Sequence, residues 1–434
     1  MPLFADLHIH SKYAYAVSEK MDLEHISEGA KLKGLGLMGT GDFTHPAWFG
    51  ELKDKLVERE GSGLFVLRAE ENQPNPTLFM LTAEISTIIS TPKGVKKVHH
   101  IVHAPSLEAA AQLNSVYAKM GNLAMDGRPT LGNCSSAHFA ELTFEACKDA
   151  VIVPAHAWTP WFSVFGSMSG YNSLEEAYED QAPKIFAIET GMSSDPLMNW
   201  RVSKLDRVAL MSNSDSHSPY PWRLGRECNA FELKEKSFRA LFDAVRNKDP
   251  KRFVFTLEVD PCYGKYHVDG HRNCAFSTPP AETKKLNGIC PVCRRPLTIG
   301  VLNRVEQLAD RPEGFVPPGA IPFKTILPLH ELISGVFGAQ LASKRVMEEG
   351  DRIMRAFQSE LNVLLNVPRD ELLKVTNEKI VDAVMLNREG KIKVTPGYDG
   401  EYGVPILGAD KQKKAAGNAD AAAQRGQKSL EEYG

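Results

Sequence analysis

The chain has 434 residues, 43% of them hydrophobic and 24% charged. This excludes a disordered or fibrous protein and leaves length for two or three cores of ordinary domain size. A formal net charge of -3 means that no global excess of Lys and Arg announces a polyanion partner, so any nucleic-acid binding would have to use local patches.

The opening Met1-Pro2-Leu3-Phe4-Ala5-Asp6 is not a basic segment followed by an apolar stretch, and no apolar run approaches the roughly 20 residues that cross a bilayer. A soluble cytoplasmic protein is expected. From Leu3 to about Ala244, short apolar runs alternate with helical patterns, as strands and crossover helices of an α/β barrel do. The runs Gly36-Leu37-Met38-Gly39, Phe79-Met80-Leu81-Thr82, Val151-Ile152-Val153-Pro154, Ile185-Phe186-Ala187-Ile188 and Val208-Ala209-Leu210-Met211 each lead straight into polar residues. In such folds the chemistry sits where strands end.

The first strand ends Asp6-Leu7-His8-Ile9-His10-Ser11, and alternation along a strand puts His8 and His10 on one face. A lone His-x-His is weak, because paired histidines on a barrel rim are often plain surface residues. The weight comes from Gly41-Asp42-Phe43-Thr44-His45, Ala83-Glu84, Val98-His99-His100, Pro154-Ala155-His156 and Ser212-Asn213-Ser214-Asp215-Ser216-His217. Each places His, Asp or Glu just past an apolar run. Oxygen and imidazole ligands from successive strand ends suit a two- or three-ion phosphoesterase site. Its nucleophile is a metal-activated water, with no protein nucleophile. At His99-His100 only one residue points inward; spacing favours His99, while His100 and His103 read as surface residues. There is no Gly-x-Ser-x-Gly elbow, Walker loop or Gly-x-Gly-x-x-Gly fingerprint, which argues against acyl transfer, nucleotide motors and dinucleotide redox chemistry.

Between about Asn247 and Thr298 the texture changes to turns with little periodicity. Four of the seven cysteines fall here, and three of them, Cys274, Cys290 and Cys293, stand close together beside two histidines. His271-x2-Cys274 and Cys290-x2-Cys293 mirror each other and suit a tetrahedral structural zinc. His267 is the alternative imidazole and Cys262 a more distant ligand candidate. Lys265, Arg272, Lys284, Lys285, Arg294, Arg295 and Arg304 form a basic cluster that either contacts phosphates or is a solvated face. Beyond Val301, helical segments are predicted over Leu329 to Phe337, Lys344 to Leu361 and Arg369 to Met385, then a hairpin around Lys391 to Tyr398. The domains are drawn at 1–246, 247–300, 301–407 and 408–434, the last a tail expected to lack order.

His-x-His, an Asp-His motif, a central Glu, two later histidines and a final Ser-Asp-x-His resemble the PHP (polymerase and histidinol phosphatase) superfamily. The resemblance implies an α/β, PHP-type distorted (β/α)7 barrel holding up to three divalent ions, here with an appended zinc-binding module and a C-terminal helical domain. His8, His10, Glu84 and Asp215 would hold the first ion. Glu84 would bridge to an ion held by His99 and His156. Asp42, His45 and His217 would fall near the third, although Phe43 and Thr44 separate the usual adjacent Asp and His.

Ala155 to Phe162, Glu189 to Pro196, Asn213 to Ser218, Gly264 to His267 and Arg304 to Arg311 together resemble the endonuclease Q family of DNA repair nucleases. That likeness implies cleavage on the 5′ side of uracil, hypoxanthine, xanthine or an abasic site, leaving 3′-hydroxyl and 5′-phosphate ends. It implies damaged DNA as partner, zinc in the module and in the active site, and Mg2+ or Mn2+ as a further option for catalysis. Trp158, Trp161, Phe162 and Tyr171 lie next to His156 in sequence and would wall a pocket for an extruded base, or else pack as core. Lys265 and Arg272 would contact DNA. In the tail, Gln427, Leu430 and Tyr433 resemble a peptide that binds a sliding clamp (PCNA), with Gly434 where a second aromatic is usual. The alternative enzyme is a metabolite phosphomonoesterase resembling histidinol phosphatases.

Overall fold

A computed structural model describes residues 2–407. Gln427, Leu430 and Tyr433 lie outside the described residues. No described helix is long and apolar enough to cross a membrane.

The centre is a mixed sheet. Leu3–Asp6 runs parallel to Leu37–Gly39 and antiparallel to Cys228–Phe231. Leu37–Gly39 is parallel to Leu78–Thr91, which turns back antiparallel on Gly94–Ala104, itself antiparallel to Val151–Pro154. Ala187–Glu189 and Ala209–Met211 form a parallel pair. Two contacts carry this pair onto its neighbours. Ala157 N donates to Glu189 O at 2.9 Å, and His10 N to Ser216 O at 3.1 Å beside the bridge between Ile9 and Ser216. These contacts set the pair beside the chain that follows Val151–Pro154 and the chain that follows Leu3–Asp6, and buried residues lie on both faces of the sheet. This is why the runs read as continuous hydrophobic stretches rather than alternating ones.

The sheet also crosses the boundaries expected at 246/247 and 300/301. Phe253–Glu258 pairs with Cys228–Phe231, and Phe323–Thr325 pairs with Phe253–Glu258. The run Phe253-Val254-Phe255-Thr256-Leu257 is β-branched and aromatic, as a buried strand requires. The small module proper starts after it, with the short hairpin Asp269–His271 and Phe276–Thr278.

The C-terminal region is helical, over Leu329–Phe337, Lys344–Phe357, Glu360–Leu365, Arg369–Leu373 and Glu378–Arg388. Two expected helices are each split. Gln358 takes φ +71° and the Ser359 side chain accepts from Asn362 N; Asn377 accepts from Ile380 N in the same manner. Both are N-caps that restart a helix. The expected hairpin at 391–398 is instead Lys393–Thr395 paired with Val404–Ile406, joined by a longer loop.

This region is tied to the sheet by a buried ion pair. Lys33, in the helix Leu23–Lys33, reaches Glu360 Oε1 at 2.6 Å and Pro221 O at 3.0 Å. Both side chains are at most 1% exposed. Removing one partner strands the other charge in the interior, so Glu360→Ala should lower stability by about 3–5 kcal/mol. Urea unfolding followed by fluorescence would measure it, and a change below 1 kcal/mol would show that the pair bears no such weight.

Candidate metal centre and substrate cavity

Residues from five strands converge, His8, His10, His156, Asp215 and His217 just past strand ends and Glu84 and His99 from within Leu78–Thr91 and Gly94–Ala104. His8 Nε2 lies 3.7 Å from Glu84 Oε1 and His10 Nε2 3.4 Å from Glu84 Oε2. On its other side, Glu84 Oε1 is 2.7 Å from His99 Nδ1 and 3.0 Å from His156 Nε2. His10 Nε2 is 3.1 Å from Asp215 Oδ1, which is 3.5 Å from His217 Nε2. Three groups of candidate ligand atoms result, each gathered within 4.8 Å: His8, His10 and Glu84; Glu84, His99 and His156; His10, Asp215 and His217. Glu84 belongs to two of them and His10 to two.

The electrostatics fit cations. Burial pushes the Glu84 carboxyl up, but His99, His156 and His8 outweigh it and hold it well below the usual carboxylate range. Asp215 is held down in the same way by His10 and His217. Both are thus charged. His8 Nε2 and Glu84 Oε2 are buried without a hydrogen-bond partner among the described residues. Buried polar atoms are normally satisfied, and a convergent unsatisfied pair is what ligation by an ion would resolve.

The backbone is bent to deliver these groups. Asp42, His156 and Asp215 adopt φ of +46°, +30° and +47°, conformations costing on the order of 1–3 kcal/mol each that persist only where surrounding structure enforces them. Gly191, at φ +71°, lies against His156, where an added Cβ would stand 2.8 Å from His156 Cβ. A side chain there would displace the ligand.

Asp42 and His45 are not among the gathered ligands. Asp42 Oδ1 accepts from His10 Nδ1 at 3.0 Å, and its other oxygen accepts from Ser11 N and Ser11 Oγ. The left-handed turn at Gly41 and Asp42 aims the carboxylate back at His10 rather than at the centre. His45 stacks on Tyr13 with centroids 4.5 Å apart and precedes the helix Pro46–Lys55. Asp42 therefore fixes the His10 ring with Nε2 facing inward. Asp42→Asn should weaken metal retention and activity by about 10- to 100-fold, as loss of an outer-shell partner does; titration with a chelator checks it, and an unchanged midpoint would contradict it.

His100 and His103 are buried rather than at the surface. His99 and His100 face opposite sides of one strand. His100 Nδ1 lies 2.8 Å from Tyr178 Oη and Nε2 3.0 Å from Thr87 Oγ1, whereas His103 packs on Phe242. Burial lowers both to about 3, so they stay neutral.

Several contributors escaped the sequence reading. Glu189 Oε2 accepts from His8 Nδ1 at 3.0 Å and from His156 N at 2.6 Å; Asn213 Nδ2 donates to Glu189 Oε1. Its signal was available, since Ala187-Ile188-Glu189 ends a strand just as Ala83-Glu84 follows an apolar run. Arg128 Nε stands 3.9 Å from Glu84 Oε2. Arg226 and Tyr402 line the same cavity as the ligands, and no local pattern marked them.

That cavity, of about 330 Å³, is lined by His99, His156, Asp215, Trp161, Phe162, Arg226, Lys265, Tyr266 and Tyr402 among others. Trp161 is 38% exposed and meets Tyr266 edge-on. Two of the four aromatics expected there are instead core. Trp158 is buried on Phe165 with Nε1 donating to Asn199 Oδ1, and Tyr171 is buried. Arg272 is exposed beside Asp399 and does not line the cavity. Arg304 is committed to the backbone oxygens of Phe165 and Tyr171, which removes it from the basic cluster.

A fourth gathered group is His271, Cys274, Cys290 and Cys293, with Cys293 Sγ 3.4 Å from His271 Nδ1. His267 lies elsewhere, its Nδ1 at Ser193 O.

Similarity to known proteins spans most of the chain. A family model described as the MJ0043 C-terminal domain matches residues 328–391. The chain is 32% identical over 255 residues to the uncharacterized protein MJ0043 of Methanocaldococcus jannaschii, covering 57% of this chain but only 31% of that protein's length. It is 27% identical to the uncharacterized protein YqxK of Bacillus subtilis over 92% of this chain and 98% of that one. Among solved structures it is similar to the lesion-specific endonuclease PfuEndoQ of Pyrococcus furiosus, with TM-score 0.82, 33% identity and coverage of 95% and 97%. It is equally similar to an endonuclease Q complexed with a 27-mer duplex carrying an abasic lesion at the active site, with TM-score 0.84, 33% identity and coverage of 95% and 98%.

Proposed function

The chain belongs to the endonuclease Q family, and from that premise we propose that it is a metal-dependent DNA repair endonuclease. It cuts the phosphodiester on the 5′ side of a deaminated base or an abasic site and leaves 3′-hydroxyl and 5′-phosphate ends. The observation that carries the reading is the placement of Glu84 between His8 and His10 on one side and His99 and His156 on the other, in a chain matched over 95% of its length by a lesion-specific nuclease.

In this reading the sheet is a distorted PHP-type barrel. The three gathered groups hold divalent ions, zinc with Mg2+ or Mn2+ as further candidates. When bound, the ions supply Lewis acidity that acidifies a water and neutralises charge on the phosphate oxygens. The remaining work belongs to side chains. Glu189 and Asp42 each accept the Nδ1 proton of a ligand histidine, which leaves Nε2 of His8 and His10 unprotonated and turned inward. Arg128, beside Glu84, offers a guanidinium to the negative charge that grows on phosphate during the displacement. Trp161, Phe162 and Tyr266 give the apolar wall against which an extruded base stacks. His271, Cys274, Cys290 and Cys293 hold a structural zinc that folds residues 261–300, a stretch with few large apolar side chains of its own.

The test is incubation with duplexes carrying one uracil, one hypoxanthine, one abasic site or no lesion, alongside a small phosphomonoester. Nicking confined to the damaged duplexes supports the reading. Phosphate release from the monoester without nicking would establish the metabolite phosphatase instead.

A further inference from the structure

The loop 396–403, between the last two strands, folds back over the cavity. Gly397 N donates to Cys262 O at 2.8 Å, Gly400 N to Lys265 O at 3.0 Å and Gly403 N to Tyr263 O at 3.0 Å. The approach leaves no room for a Cβ on Gly403 against the Cys262 carbonyl. This packing fixes Tyr402. Its ring lies 5.7 Å from the Tyr263 ring, with Lys265 Nζ 4.6 Å and the Arg223 guanidinium 5.9 Å from its centroid.

Below it is Arg226, only 7% exposed. Its Nε and Nη2 donate to Ser214 O, at 3.0 and 2.8 Å, which ties it to the backbone next to Asp215. Its Nη1 is buried with no carboxylate partner among the described residues, and the Tyr402 phenol interacts with the guanidinium. Burial pushes the Tyr402 phenol up, but Arg226, Lys265 and Arg223 beside it pull it below the ordinary tyrosine range. The surroundings are therefore strongly positive. The carboxylates that line this cavity, Glu189 and Asp215, stand at its metal end.

A buried guanidinium held by a carbonyl and a phenol, with no carboxylate paired to it, is costly unless an anion meets it. A stacked base would not answer that charge; a phosphate would, because guanidinium and ammonium groups match phosphate oxygens in charge and geometry. Resting on the endonuclease reading, we propose that Arg226, Lys265 and Tyr402 form an anion subsite for the uncut phosphate next along the strand from the one that is hydrolysed. A monoester has no second phosphate to place there. The subsite thus selects a polynucleotide chain over a small phosphate ester at a metal centre that could hydrolyse either.

The experiment replaces the phosphates flanking the cut, one at a time, by neutral methylphosphonates in a lesion-bearing duplex. Wild-type kcat/KM should fall about 10- to 100-fold at one adjacent position, the range of a lost charged hydrogen bond. In Lys265→Ala and Tyr402→Phe, that same substitution should cost several-fold less, while the other positions keep their wild-type sensitivity. No sensitive position adjacent to the cut in the wild-type protein, or equal losses in wild type and both variants, would overturn the subsite. Failure of the wild-type protein to nick any unmodified lesion would instead sink the endonuclease reading, so the two failures are distinguishable.

Discussion

Replacing Glu84 by Gln should reduce nicking to background. The substitution keeps shape and volume but removes the one negative charge that faces four imidazoles, His8, His10, His99 and His156, from a side chain only 2% exposed. An amide is a poor ligand beside a carboxylate, and its NH2 would point a donor where an ion is wanted. Because two of the three gathered groups share this residue, both ions should be weakened together. The loss should exceed the roughly 10- to 100-fold expected of outer-shell partners such as Asp42. Metal analysis of the purified variant should show reduced occupancy, and circular dichroism an unchanged fold. Retention of a tenth or more of wild-type nicking would contradict the assignment of Glu84 as a shared ligand.

The second large effect is expected at Cys290. Its sulfur belongs to the group formed with His271, Cys274 and Cys293. Its backbone makes the tight knuckle in which Cys290 N donates to Arg295 O and Arg294 N to Cys290 O. Apparent binding free energies of structural zinc are about 10–16 kcal/mol near neutral pH, far more than a module with so few apolar residues could replace. Cys290→Ser should release one zinc per chain and open the module. The opening should spread to the C-terminal loop, since Gly270 packs on Tyr398 and Val268 N donates to Gly397 O. Hydrogen exchange would read it as lost protection over 261–300 and 393–406. A variant that keeps its zinc and its protection would show that the four side chains hold no ion.

Much of the candidate metal centre was legible because its side chains follow apolar runs, a local signal, although Glu84 and His99 stand within strands rather than at their ends. An apolar run followed by His, Asp or Glu needs no knowledge of distant partners, and His8, His10, Glu84, His99, His156, Asp215 and His217 all announce themselves in this way. The mirrored x2 spacing favoured His271 but left His267 open, and it is the fold that gathers His271 with the three cysteines. Asp42 and His45 obeyed the same rule but were turned aside by the positive φ at Gly41 and Asp42, which a residue string does not display. Trp158 sits nearer His156 in sequence than Trp161 does, and Tyr171 follows further along the same irregular stretch, yet both face the core; direction within a loop is decided by packing. Arg226 and Tyr402 are brought together by chain-distant contacts and carry no motif at all. The split helices had a signal in Ser359 and Asn377, both good N-caps within otherwise continuous helical patterns.

The central claim is most directly tested by mapping the ends of the cut. A duplex with one abasic site, labelled in turn at each end of the damaged strand, is incubated with the protein and a divalent ion, with Glu84→Gln as control. One break immediately 5′ of the lesion, with a 3′-hydroxyl that a polymerase extends and a 5′-phosphate that a ligase accepts, is the predicted result. Breaks scattered along the strand, or equal cutting of the undamaged duplex, would contradict it.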